Sequence, residues 1–453
     1  MSVRAGSPDD GRMPELDDAA LIRRAAERFG FGCRPGELQR LQDAGWRAFT
    51  TARLQRPAAA DPGAAATPTP DLALTDRVPR NAQPQQRRER NAERRAEQQT
   101  ATLWWLDRMV RAEDQLGERL TWFWHGHFAT SVQKVRQPRL MVEQNERLRA
   151  AATGAFSDLA QAMIVDPAML IWLDGNDNTA RSPNENLSRE FMELFALGRG
   201  GYTEDDVQQA ARALSGWRVN RSTGTATLVP ARHDDRPTTI LGSTANFDAP
   251  SFVTQVLAAP GSPRFVVGRL WFRLVSATPP DPATLDALAR AWGPNGDIRA
   301  TLVAMAAQPA FRDPASTLVK QPVEWAVGLM RALGVSAGAL PPQQQRRLLG
   351  GLTGMGQLPF RPPSVGGWPA GGAWLTTSAA LSRTVAARAV AEEAALPPEI
   401  TATPIGQRPE VVRRLLGVDA WSGRTAQAIA RVAHSWPAAL LVASCSPEYV
   451  VSA

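Results

Sequence analysis

The sequence predicts a mainly α-helical protein: a single large multi-helical domain with one short β-hairpin near 217–229. Three observations carry that expectation. Helix formers (Ala, Leu, Arg, Glu, Gln) dominate, while Tyr, Ile and alternating Thr-rich runs are scarce. Apolar residues recur at three- and four-residue spacing in segment after segment. The breaks between segments carry Pro, Gly and capping residues, the punctuation of helices.

The elements follow in order. Residues 1–16 are polar, with no apolar run, and read as a flexible N-terminus ahead of a domain spanning 17–453. Leu21, Ile22, Ala25 and Phe29 give residues 17–30 one apolar face, Gly30-Phe31-Gly32 stops that helix, and another begins near 36. Residues 56–83 turn to Pro, Ala, Thr and Asp without periodicity, and a disordered insertion is expected there. A long helix then covers 84–116, with Pro84 suited to its first position. Its first half mixes Arg, Glu and Gln, and Leu103, Leu106, Met109 and Val110 turn inward in its second. Acidic residues interleave with those arginines and no stacking aromatics accompany them, so a solvated face is expected rather than a nucleic-acid surface. Helices at 116–130, 137–150 and 155–165 lead to the segment 183–197. Thr203 caps the next helix, whose first turn is acidic. Trp217 to Val229 alternates around Gly224 and supplies the hairpin. Further helices fall at 250–258, 262–276, 282–293, 297–308, 322–333 and 342–354. Phe360 to Pro369 is a rigid loop, and helices at 373–394, 409–416 and 422–445 complete the chain.

Composition narrows the function. No run approaches the roughly 20 apolar residues that a membrane span needs, and no secretory segment opens the sequence, so a cytoplasmic protein is expected unless a partner carries it out. A formal charge of +7 over 453 residues is a modest excess. Cys33 and Cys445 lie at opposite ends and read as free thiols. No phosphate-cradling Gly loop, Cys-x-x-Cys pair or Gly-x-Ser-x-Gly elbow occurs.

The chemistry-bearing residues concentrate around Pro183 to Phe195. Leu187, Phe191, Leu194 and Phe195 form a buried stripe, and helical spacing sets Asn186, Glu190 and Glu193 on one face. These glutamates read as ligands or acid/base groups in a polar pocket, or as part of a network in which Arg189 pairs with Glu185 and Glu193. Of the four histidines, His125, His127 and His233 with Glu190 make a chemically complete sphere for a divalent ion (Zn, Fe or Mn). One geometric objection stands: residues two apart on a helix point about 200° apart. His125 and His127 therefore share a metal only if the helix loosens at Gly126. Otherwise they are fillers in the aromatic core of Trp122, Phe123, Trp124 and Phe128. Lys134 and Lys320 are retained in a chain that writes almost every other cation as Arg, which suggests sites for a compact ammonium. Most of the fourteen tryptophans sit at helical spacing beside Leu and read as core.

Several segments together resemble one bacterial family, the domain of unknown function 1800. They are Trp122 to Phe128 with its His125-Gly126-His127, Pro183 to Leu197, Arg212 to Trp217, His233-Asp234 with Leu241-Gly242, Lys320 with Pro322-Val323-Glu324, and Met355-Gly356-Gln357 through Gly366-Gly367-Trp368-Pro369. The likeness spans roughly 20 to 450. It implies a mostly helical unit and a partnership or shared pathway with a protein of the domain of unknown function 1501 family, itself similar to phosphatases and sulfatases, often outside the cytoplasm. Gly126, Arg236, Thr238 and Gly366 depart from the usual Asn, Gly, Lys and Lys, leaving every proposed ligand intact.

Two readings follow. The first is a metal-dependent enzyme, marginally a hydrolase, with metal ligands His125, His127, Glu190 and His233. Glu193, Asp234 and Lys134 would serve the chemistry, and Asn186, Arg189 and Trp368 would hold a polar substrate. The second is a non-catalytic helical scaffold or partner protein.

Overall fold

A computed structural model describes residues 15–55, 61–74 and 82–452. Helix takes 62% of the described residues and strand 5%, so the mainly α class holds. The buried side chains form one contiguous cluster running from Leu16 to Val450.

Most helices begin where sequence chemistry places them. Asp17, Asp114, Asp166, Asp281 and Asp297 each accept a backbone N–H from the first turn of the helix that follows. Proline opens the helices Pro84–Arg111, Pro138–Ala151, Pro282–Trp292, Pro322–Leu333 and Pro342–Gly354, where a missing N–H costs nothing. The 28-residue helix Pro84–Arg111 is exposed through its Arg/Glu/Gln half and buried from Ala101 to Val110, as its two compositions require.

The expected hairpin forms, Trp217–Asn220 pairing antiparallel with Thr225–Leu228. Among the described residues two further two-stranded pairs accompany it. Thr238–Ile240 pairs with Ser243–Ala245 across Leu241 and Gly242, both at positive φ, and Leu318–Val319 pairs with Val451–Ser452. The expected final helix 422–445 divides into Gly423–Val432 and Trp436–Ser444, because Ser435 caps a new start and Pro437 follows.

Part of the expected disordered insertion is instead packed. In 61–74, Asp61 accepts the N–H of Glu113 and of Asp114, Trp104 donates to the Thr67 carbonyl, and Leu72 is buried. The rest of that expectation (56–60 and 75–81) and most of the N-terminal one (1–14) lie outside the described residues. Leu16, expected in the flexible N-terminus, is buried, and its N–H meets the Arg312 carbonyl.

Candidate functional site

The helix Gln115–His127 runs unbroken through Gly126, so His125 and His127 emerge on different sides. The His125 ring packs against Trp105, Phe360 and Trp368 at centroid distances of 5.1, 5.6 and 5.5 Å. His127 lies among Phe123, Trp124, Phe128, Phe156 and Phe195. Its Nε2–H donates to the Phe195 carbonyl at 2.9 Å, since a carbonyl can only accept, and its Nδ1 has no hydrogen-bond partner. His125 Nε2 also lacks one. Burial pushes both imidazoles down to about 3, with the Arg269 charge adding to the effect on His127. Both rings are neutral at pH 7.

The helix of the central segment starts only at Asn186. Asn178 accepts the Asn184 N–H and Asn184 accepts the Asn186 N–H, which keeps Pro183 in a turn and delays the helix to Asn186–Glu190. From Phe191 to Ala196 it widens into a π-helix. That turn buries Phe191, Met192, Phe195 and Ala196 and leaves the charged residues in separate surface pairings. Arg189 holds Glu185 at 2.8 Å and Glu204 at 2.7 Å. Glu193 meets Arg199 at 2.8 Å and the Tyr202 hydroxyl at 3.0 Å, which lower its pKa. Glu190 is half-buried, and burial with the neighbouring Glu193 charge raises its pKa.

The remaining expected residues fall in two places. Lys134 contacts Asp174 at 2.7 Å and the Trp172 carbonyl at 2.7 Å, and Asn186 reaches the other Asp174 oxygen at 3.3 Å. Lys134 and Asn186 are thus brought together, through a carboxylate that the sequence reading did not weigh. His233 Nδ1–H donates to the Ser215 carbonyl at 3.0 Å. Buried Asp234 lies between Arg236 at 2.7 Å and Arg212 at 2.9 Å, which hold its carboxyl well below the usual range. Among the described residues no three His, Cys, Asp or Glu side chains come together as a metal would need. His125, His127, His233 and Glu190 therefore do not meet in one group. Trp368 is buried, stacks on Trp122 at 4.9 Å, and borders a small pocket that also takes in His127.

A larger concavity lies elsewhere. A cavity of about 680 Å³ opens between the first two helices, Asp18–Arg28 and Glu37–Ala44, the start of Pro322–Leu333 and the helix Arg408–Leu415. Its apolar wall includes Phe31, Leu38, Ile400 and Leu416. Its polar groups include Lys320, which pairs with Glu27 at 2.8 Å and lies 4.2 Å from the ring centroid of the buried Tyr449. Glu324, one turn into the helix, caps the Gln321 N–H at 3.1 Å and forms an ion pair with buried Arg119. Cys33 also lines this space, but burial pushes its thiol up to about 12, so it is no thiolate nucleophile at pH 7. Lys320 and Glu324 were legible as a retained lysine and a Lys-x-Pro-x-Glu run. Glu27 and Tyr449 were not, because they come from the two ends of the chain.

The fold and this cavity define a helical protein with an internal space of small-molecule size. The chain belongs to the family described as protein of unknown function (DUF1800), whose model matches residues 24–451. No curated protein and no solved structure matches the chain.

Proposed function

We propose that this protein binds a small molecule with an apolar body and an acidic group in the cavity around Lys320. One observation carries the reading: about 680 Å³ of space, with Phe31, Leu38, Ile400 and Leu416 in its wall, also takes in Lys320, which sits beside the Glu27 carboxylate and the Tyr449 ring. Ligand sites commonly combine that volume with a few placed polar groups. The Lys320–Glu27 pair is only 11% and 15% exposed at its side chains, so a ligand acid that displaced Glu27 would meet a poorly solvated ammonium.

The test is titration with 8-anilinonaphthalene-1-sulfonate, an apolar anion, under native conditions. Saturable binding at one site is expected, weakened at least tenfold by Lys320→Met with far-UV circular dichroism unchanged. No saturable binding, or equal binding by the variant, contradicts the reading.

A metal-dependent reaction is the second reading, and the bare, buried nitrogens His125 Nε2 and His127 Nδ1 favour it. An imidazole whose other nitrogen donates to a carbonyl is oriented as metal ligands often are. It requires His233 and Glu190 to move toward those rings. Metal analysis of purified protein beside His127→Ala tests it: stoichiometric metal lost in the variant supports the reading, and absence of metal from both opposes it.

A further inference from the structure

We propose that the occupant of the Lys320 cavity is a zwitterion, an α-amino acid with an apolar side chain, whose carboxylate meets Lys320 while its ammonium meets Glu27. The inference rests on the reading above and adds a second charge to the ligand. Lys320 and Glu27 both line the cavity, 2.8 Å apart. Among the described residues, no other ion pair that touches the cavity has both members in its wall. Arg23 pairs with Asp419, Arg413 and Arg414 with Glu410, and Glu324 with Arg119, and these three partners stand outside it. Lys320 is therefore the cavity's one cation whose counter-ion an occupant can also reach.

The pair constrains what can open it. Glu27 has no further hydrogen bond or ion pair among the described residues. Arg24 and Arg28 feel its charge but donate to the carbonyls of Phe311, Asp313, Val275 and Ser316. A ligand bearing only an acid would take Lys320 and leave the Glu27 carboxylate, 15% exposed at its side chain, without its partner. One bearing only an amine would strand the Lys320 ammonium, 11% exposed and otherwise facing only the Tyr449 ring. Leaving one member of a poorly solvated pair alone is strongly unfavourable. A zwitterion avoids both losses, because four charges of alternating sign leave each with opposite neighbours. In an α-amino acid one carbon separates the ammonium from the carboxylate, so its charges stand about as close together as those of a contact pair. The termini of a peptide are too far apart to meet both members of this one. Phe31, Leu38, Ile400 and Leu416 supply apolar contact for the side chain, and about 680 Å³ admits the largest of them.

The experiment is isothermal titration of the full chain at pH 7 with L-phenylalanine, 3-phenylpropionate, which lacks the ammonium, and 2-phenylethylamine, which lacks the carboxylate. Saturable one-to-one binding of L-phenylalanine is expected, at least tenfold tighter than either analogue. In Glu27→Gln, L-phenylalanine should weaken at least tenfold while 3-phenylpropionate binds more tightly than to the parent, since its competitor for Lys320 is gone. A merely structural Glu27 would not move the two ligands in opposite directions. Absent binding of L-phenylalanine, or an analogue binding the parent as tightly, overturns the proposal without recourse to the variant. An unchanged order of affinities in folded Glu27→Gln overturns it as well. Saturable dye binding alongside such a failure leaves the apolar-acid reading standing and removes only the zwitterion, whereas loss of dye binding removes the reading beneath it.

Discussion

At the scale of the residue, the histidines show how one pattern serves two ends. His125-Gly126-His127 within an aromatic run is compatible with metal binding and with core packing, and sequence alone leaves both open. The packing interior is visible only once Phe360 and Trp368, more than 230 residues away, close on His125. The consequence is measurable. His125 stays neutral in the folded protein down to about pH 3, while the unfolded chain takes up its proton near 6.5. Between those values the unfolded state binds more protons, so stability falls as pH drops through that window. Each such histidine contributes a slope of about 1.4 kcal/mol per pH unit. His125→Phe is expected to reduce the acid loss between pH 6 and 4.5 in urea unfolding, leaving the share of His127. An unchanged acid limb would mean that His125 is not held neutral by burial.

At the scale of the element, helix starts were legible because their signals are local: an Asp, Ser or Thr cap, then Pro at the first turn. The π-helical turn at Phe191–Ala196 was not, since its sequence fits an ordinary amphipathic stripe and only tertiary packing selects the wider turn. That difference separates Glu190 and Glu193 from the pocket that the spacing suggested. Two substitutions examine elements directly. Gly126 is helical, and a Cβ there would meet the Trp368 ring at 3.7 Å, an ordinary contact. Gly126→Ala is expected to stabilise the protein by about 0.5–1 kcal/mol in urea unfolding, and destabilisation would contradict the observed packing. Gly367, at φ +80°, would place a Cβ 2.2 Å from the Gly126 carbonyl. Gly367→Ala must therefore move the Trp368 loop and is expected to cost roughly 2–3 kcal/mol. An unaltered unfolding midpoint would show that the loop lies farther from that helix.

At the scale of the whole molecule, buried arginines join distant parts of the chain through carbonyl oxygens. Arg24 donates to the Phe311 and Asp313 carbonyls, and Arg28 to the Val275 carbonyl and the Ser452 hydroxyl. Arg331 reaches the carbonyls of Gly32, Val110 and Ala112 and pairs with Glu37 at 3.1 Å. The sequence announces an arginine-rich chain but cannot say which arginines face inward, because each partner lies far along the chain. Arg331→Leu would leave several acceptors unsatisfied and is expected to cost about 3–5 kcal/mol. Arg331→Lys should recover only part, since a single ammonium cannot reproduce the fork. Full recovery by Lys in chemical unfolding would refute that role. The mainly α class was readable because helical periodicity is repeated many times over. The cavity was not, because Glu27, Lys320 and Tyr449 come together from distant parts of the chain. The proposed apolar acid is expected to bind in this cavity and not at the histidine cluster. The most direct measurement compares 8-anilinonaphthalene-1-sulfonate affinity in the parent protein, Lys320→Met and His125→Phe. Affinity at least tenfold weaker in Lys320→Met and unchanged in His125→Phe is the predicted result. Loss in His125→Phe with full retention in Lys320→Met would contradict it.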